Sequence, residues 1–202
     1  MVYSNQNRPF VLFFDVNETL LDMEPLKVSI DNVLLEKNSS KLWFTTLLQY
    51  SLVLTVSGKY EPFIDIGVAI LTMMANNRDI VLSTKDAKET LQPMLTLSPH
   101  QDVFNGLTRL KDAGFRIAAL TNSSSAACKV QMDNAQLTDL FECQLSVESV
   151  SKYKPHADVY RWAAKEMNVL EENCMLVAAH AWDVAGAAWV GMQTAFIKRV
   201  GN

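Results

Sequence analysis

"VLFFDVNETLLD", residues 11 to 22, runs four large apolar residues straight into an aspartate, and then an asparagine, a glutamate and a threonine. A short, continuous apolar run with polar flanks is the pattern of a strand buried on both faces of a parallel sheet. Asp15 is then a carboxylate at the tip of a buried strand. Such a group serves as a helix N-cap, a metal ligand or a nucleophile, and the choice depends on what surrounds it.

The pattern recurs in "RIAALTN" (116 to 122) and "CMLVAA" (174 to 179), each ending in small or polar residues, and "TAFIKR" (194 to 199) reads as a fourth strand. Helical stretches lie between them. "DVFNGLTRLKDAG" (102 to 114) places Val103, Leu107 and Leu110 on one face and stops at Gly114. "DVYRWAAKEM" (158 to 167) and "DVAGAAWVG" (183 to 191) are the others. Strands alternating with helices imply right-handed crossovers and an α/β fold with a doubly wound, Rossmann-like parallel sheet. Ligands in such sheets collect at the carboxyl ends of the strands. Asp15, Thr121 with Asn122, and the segment leading to Asp183 all sit at such ends and converge on one crevice.

Residues 23–97 break the alternation. "LWFTTLLQYSLVLT" (42 to 55) and "FIDIGVAILTMMANN" (63 to 77) read as helices with wide apolar surfaces, followed by the more polar "TKDAKETLQPML" (84 to 95). The expected organisation is a core domain of residues 1–22 and 98–202 with a helical cap, 23–97, inserted after the first strand. The apolarity of the first two cap helices fits a lid, a core or a subunit interface equally.

A chain of 202 residues with 49% apolar and 20% charged residues can bury a substantial core and is not disordered. Its net charge of -4 provides no general attraction to nucleic acid or an anionic membrane, so a small molecule is the expected partner. Cys128, Cys143 and Cys174 are odd in number and widely spaced, unlike a disulfide framework or a zinc site, and read as reduced core thiols. "MVYSNQNRPF" at the start contains no apolar signal core, and no segment has the roughly 18 apolar residues of a membrane span, which places the expected location in the cytoplasm.

Asp15 with Thr19 four residues on, Thr121 in "LTN", Lys154 in "YKP" and Asp183 in "AWD" resemble, in order and spacing, the motifs of the haloacid dehalogenase superfamily. The run "LSVESVSKYKPHADVY" and the later "LVAAHAWDVAGAAWVGMQTAFIKR" look most like its 2-haloacid dehalogenase branch. The resemblance implies a metal-independent hydrolase in which Asp15 displaces halide from a small, anionic 2-haloalkanoic acid and forms an aspartyl ester. Lys154 would keep Asp15 ionised. Thr19 would orient it. Thr121, Asn122 and the backbone amides of Val16 and Asn17 would hold the substrate's anionic group. Asp183 would position or deprotonate the water that cleaves the ester. Thr121 and Asn122 also fit a cap on the "SSSAACKV" helix, Asp183 fits an N-cap, and Tyr160 fits either a site residue or helix packing. Dimerisation through the cap helices is implied by the resemblance alone.

Several positions depart from the superfamily pattern. Asn17 stands where phosphatases of this superfamily carry an acid for the leaving group, and Ala179 where they hold magnesium. A magnesium-dependent phosphatase acting on a small phosphorylated metabolite is therefore the alternative, with too few hard oxygen ligands in its favour. A halide leaves without a proton, so Asn17 is compatible with dehalogenation. Phe44, however, occupies the position that aligns with a halide-binding arginine, and Ala178 and His180 replace a serine and an asparagine near the catalytic water. Trp43 and Trp182 are candidates to line a halide pocket. His180 is a candidate to hold that water together with Asp183. A non-catalytic binding protein on the same fold is the third reading, favoured by Phe44 and by the apolar cap.

Overall fold

Val11–Phe14 forms strand β1, and all four of its side chains are buried. That is what a strand covered by helices on both sides requires, and in the computed structural model β1 is the centre of a five-stranded sheet. The structure describes residues 8–199. Residues 1–7, most of the stretch read as having no signal core, lie outside the described residues. β2 (Arg116–Thr121), β3 (Cys143–Ser146), β4 (Cys174–Ala178) and β5 (Gln193–Phe196) complete the sheet in the order β3-β2-β1-β4-β5. Every pairing is parallel.

Register sets the site. Phe14 pairs with Ala119 on one side and Val177 on the other, so the carboxyl ends of β1, β2 and β4 are nearly level. Asp15, Thr121 and the residues after Ala178 therefore leave the sheet at one height. Helices α5 (Val103–Asp112), α6 (Ser125–Asn134), α7 (Ala157–Glu166) and α8 (Ala181–Trp189) make the crossovers.

Between β1 and α5 lie α1 (Glu24–Val33), α2 (Ser39–Val56), α3 (Phe63–Asn76) and α4 (Thr84–Leu91). They pack against one another in the pairs α1 with α2, α2 with α3, α3 with α4, and α1 with α4. The Trp43 indole N–H donates to the Gly67 carbonyl at 2.9 Å, which ties α2 to α3 where a Cβ on residue 67 would come to 3.0 Å from the ring. α2 leaves Leu42, Val53 and Val56 exposed, whereas α3 buries most of its apolar residues.

Several elements differ from the sequence expectation. β3 carries no sequence signal because "CQLS" has no apolar run: it is an edge strand whose first two residues are half-buried. α1 is likewise absent from the sequence expectation. The segment 84–95 is two pieces, α4 and a 3-10 turn at Gln92–Leu95 started by Pro93. β5 ends at Phe196, and Arg199 beyond it turns inward to donate to the Thr19 carbonyl, at 2.7 Å and 3.0 Å. α8 starts at Ala181 with His180 as N-cap, so Asp183 is inside the first turn rather than capping it. Ser124 caps α6, and neither Thr121 nor Asn122 does. The three cysteines are free thiols, and burial pushes that of Cys128 up to about 12. Among the described residues no helix is long and apolar enough to cross a membrane.

Candidate active site

Asp15 is the first residue past β1 and is almost fully buried. Its Oδ1 accepts from Lys154 Nζ at 2.8 Å, and its Oδ2 accepts from Thr19 Oγ1 at 2.6 Å and lies 3.2 Å from His180 Nδ1. Burial alone would raise its pKa, but Lys154 and His180 outweigh that and hold the carboxyl well below the usual range. Thr19 also accepts from the Ala179 backbone N–H at 2.9 Å, so one hydroxyl links the loop after β1 to the loop after β4.

Lys154 has no side-chain exposure. Its ammonium donates to Asp15, to Asp183 Oδ2 at 2.6 Å and to the Leu120 carbonyl at 2.9 Å, which uses all three of its N–H bonds. Burial would lower its pKa, and the two carboxylates more than reverse that. Its own backbone N–H donates to Asn122 Oδ1 at 3.1 Å. Two carboxylates thus share one ammonium. Burial pushes Asp183 up, with the charge of Asp15 adding to it, so Asp15 is the member of the pair held firmly ionised.

Asp183 is fully buried, and its other oxygen accepts from the Tyr160 hydroxyl at 2.6 Å. Both oxygens face protein donors. Asn17 donates to Ser123 Oγ at 3.1 Å and accepts from Gln131 Nε2 at 2.9 Å, so its amide braces the turn against α6. Thr121 Oγ1 accepts from the Ser123 backbone N–H at 3.1 Å.

Asp15, Asn17, Thr121, Asn122, Phe44, Leu48, Phe63, His180 and Trp182 line a crevice of about 10 Å³, room for roughly one water. Phe44 and Trp182 lie on it. Trp43 does not: one residue along α2 turns the side chain by about 100°, so Trp43 points into the helices and Phe44 faces Asp15. Beyond the aromatic wall is a cavity of about 330 Å³ bounded by Glu18, Lys27, Trp43, Phe44, His180 and Trp182.

His180 is sandwiched between Phe44, at 5.6 Å between ring centroids, and Trp182, at 5.2 Å. Its Nε2 lies 3.1 Å from Glu18 Oε2. In the sequence Glu18 is one charge in a turn, with no pattern to mark it as a site residue. It is buried, has a left-handed backbone with φ 66°, and also accepts from Lys27 Nζ at 2.6 Å. Burial opposes its ionisation, but His180 and Lys27 bring its pKa down to about 2. A ring with a carboxylate oxygen at each nitrogen is suited to donate from both, as an imidazolium. Burial would lower the His180 pKa, and the two carboxylates instead raise it to about 9. Among the described residues no group of three or more His, Cys, Asp or Glu is arranged to hold a metal ion.

The chain is 28% identical over 191 residues to the (S)-2-haloacid dehalogenase of Pseudomonas sp. (strain YL), covering 94% of this chain and 82% of that protein. It is 29% identical over 165 residues to haloacetate dehalogenase H-2 of Moraxella sp. (strain B), covering 82% and 74%. The structure of L-2-haloacid dehalogenase from Xanthobacter autotrophicus with chloropropionic acid covalently bound superposes with a TM-score of 0.85 at 22% identity, over 96% of this chain and 79% of that one, a likeness of fold. The family described as haloacid dehalogenase-like hydrolase matches residues 12–197, and the chain belongs to that family.

Proposed function

We propose that this hydrolase displaces halide from a small 2-haloalkanoic acid without a metal. Asp15 attacks the halogen-bearing carbon, the carbon–halogen bond breaks with its electron pair leaving on the halide, and water then hydrolyses the aspartyl ester. The observation that carries this is the state of Asp15: a buried carboxylate faced by Lys154 at 2.8 Å and by His180, with an amide, Asn17, two residues on where a leaving-group acid would stand. A leaving group that needs no proton suits that arrangement. The relatives named for haloacid and haloacetate dehalogenation support the same substrate class.

The remaining side chains take roles consistent with their contacts. Thr19 orients Asp15, and Asp183 with Tyr160 fixes Lys154. Thr121, Asn122 and the amides of Val16 and Asn17 surround the place for the substrate carboxylate. Because the crevice holds about 10 Å³, its wall has to open for the substrate to enter. The test is halide release from (S)-2-chloropropionate and fluoroacetate, with heavy-oxygen water as solvent. Halide, and label in the peptide containing Asp15, are expected. No halide from either acid overturns the proposal.

A further inference from the structure

Helix α6 buries Cys128, Met132 and, between them, Gln131, which is fully enclosed. A polar amide on a buried helix face calls for a reason. Its Nε2 donates to the Met94 carbonyl at 2.8 Å and to Asn17 Oδ1 at 2.9 Å, which uses both N–H bonds. Its Oε1 is buried and, among the described residues, has no hydrogen-bond partner. A buried acceptor left unpaired is a cost, so the two donated bonds are what the residue is there to make.

Those bonds have a fixed polarity. A backbone carbonyl can only accept, so Met94 compels Gln131 to present its NH2 end. Asn17 must then present its oxygen to Gln131, and its own NH2 end points the other way, to Ser123 Oγ at 3.1 Å. Ser123 does not select that orientation, because a hydroxyl can donate as well as accept. It belongs to the loop after β2, whose Thr121 and Asn122 line the crevice together with Asn17. The orientation of a side chain beside the nucleophile is thus set from the 3-10 turn at Gln92–Leu95, on the way from α4 back to α5. Asn134, three residues further along α6, donates to the Leu97 carbonyl at 3.5 Å and ties down the same connection.

We propose that Gln131 is a positioning residue: it holds the Asn17 side chain with its donor end towards the loop of Thr121 and Asn122, so that the substrate's anionic group meets an N–H and not a carbonyl. The inference rests on the haloacid reading above for the anion beside Asn17. Without Gln131 nothing fixes the Asn17 amide, whose last torsion has two nearly equivalent settings that exchange oxygen and nitrogen. In the flipped setting Oδ1 faces the anion, and attraction becomes repulsion. Substrate and transition state both carry the carboxylate, so the loss falls on uniform binding: KM rises and kcat changes little.

The experiment titrates propionate, the substrate class without its halogen, by tryptophan fluorescence, since Trp182 lines the crevice. Wild type, Gln131→Met, Asn17→Ala and the double variant are compared, with steady-state halide release from (S)-2-chloropropionate alongside. Gln131→Met is expected to weaken propionate binding and raise KM about tenfold each, with kcat within about twofold of wild type. If that variant does not fold, Gln131→Leu has the same expectation. Asn17→Ala is expected to weaken propionate about tenfold, and adding Gln131→Met to change it no further, because no amide is left to turn over. A role in the fold alone would multiply the two losses. The proposal is overturned by propionate binding to a folded Gln131 variant within about twofold of wild type, by losses that multiply, or by a wild type that does not bind propionate. Halide release by wild type leaves the haloacid reading standing in each of those cases. The expected propionate pattern without halide release leaves Gln131 its role, and the haloacid reading falls alone.

Discussion

Lys154 Nζ lies 2.8 Å from Asp15 Oδ1 and 2.6 Å from Asp183 Oδ2, with neither Lys154 nor Asp183 exposed. One ammonium thus bridges two carboxylates that approach from the ends of β1 and β4. Removing one partner of a buried ion pair costs more than the pair contributes, because it strands the other charge. Lys154→Met is expected to destabilise the fold by about 3–5 kcal/mol in urea denaturation, and to abolish halide release. Asp183→Asn, which leaves the Asp15 pair intact, is expected to cost clearly less.

Phe44, Leu48, His180 and Trp182 line both the 10 Å³ crevice and the 330 Å³ cavity and form the wall between them. Phe44→Ala is expected to thin that wall and enlarge the crevice. Each methylene that finds an apolar wall contributes about 0.8 kcal/mol. The ratio of kcat/KM for 2-chlorobutanoate over chloroacetate, which differ by two carbons, is therefore expected to rise about tenfold over wild type. Halide assays on the two acids measure it.

His180 gives stability a pH dependence of definite sign. Its folded pKa of about 9 lies above the ordinary 6.5, so its contribution is complete below pH 6.5 and is lost as pH rises through 9. Glu18 runs the other way: its contribution is present above 4.5 and is lost as pH falls towards 2. Thermal melts of wild type are expected to fall in Tm between pH 6.5 and 9 more steeply than those of His180→Gln.

Gly186 in α8 fits where a side chain would not. A Cβ there would come within 2.5 Å of Pro155 Cβ and 2.7 Å of the Tyr160 hydroxyl oxygen. Gly186→Ala should push α8 away from the loop holding Lys154, with a cost of about 1–3 kcal/mol in chemical denaturation and a lower kcat. A variant as stable and active as wild type would show that the loop can yield.

Much of this was legible in the chain itself. β1, β2 and β4 announce themselves as apolar runs because strands buried on both faces have no polar side to show, and Asp15, Thr121 and Lys154 stand out by interrupting or following such runs. β3 was hidden because an edge strand with only Leu145 and Ser146 buried needs no such run. Trp43 and Phe44 could not be told apart in role, since the phase of α2 is set by packing on α3 and the apolar residues of that helix occur all round it.

The order of motifs along the chain determined the family and the parallel sheet and marked Asp15 as the candidate nucleophile, because each depends on short-range pattern and on crossovers whose handedness sequence pattern can predict. Tertiary structure alone decided which groups face His180 and Glu18. They are 162 residues apart and meet only because β1 and β4 are neighbours in register, with their loops at one height. An imidazole becomes a cation poised over Asp15 through the two carboxylates around it, and no local pattern records which carboxylates those will be.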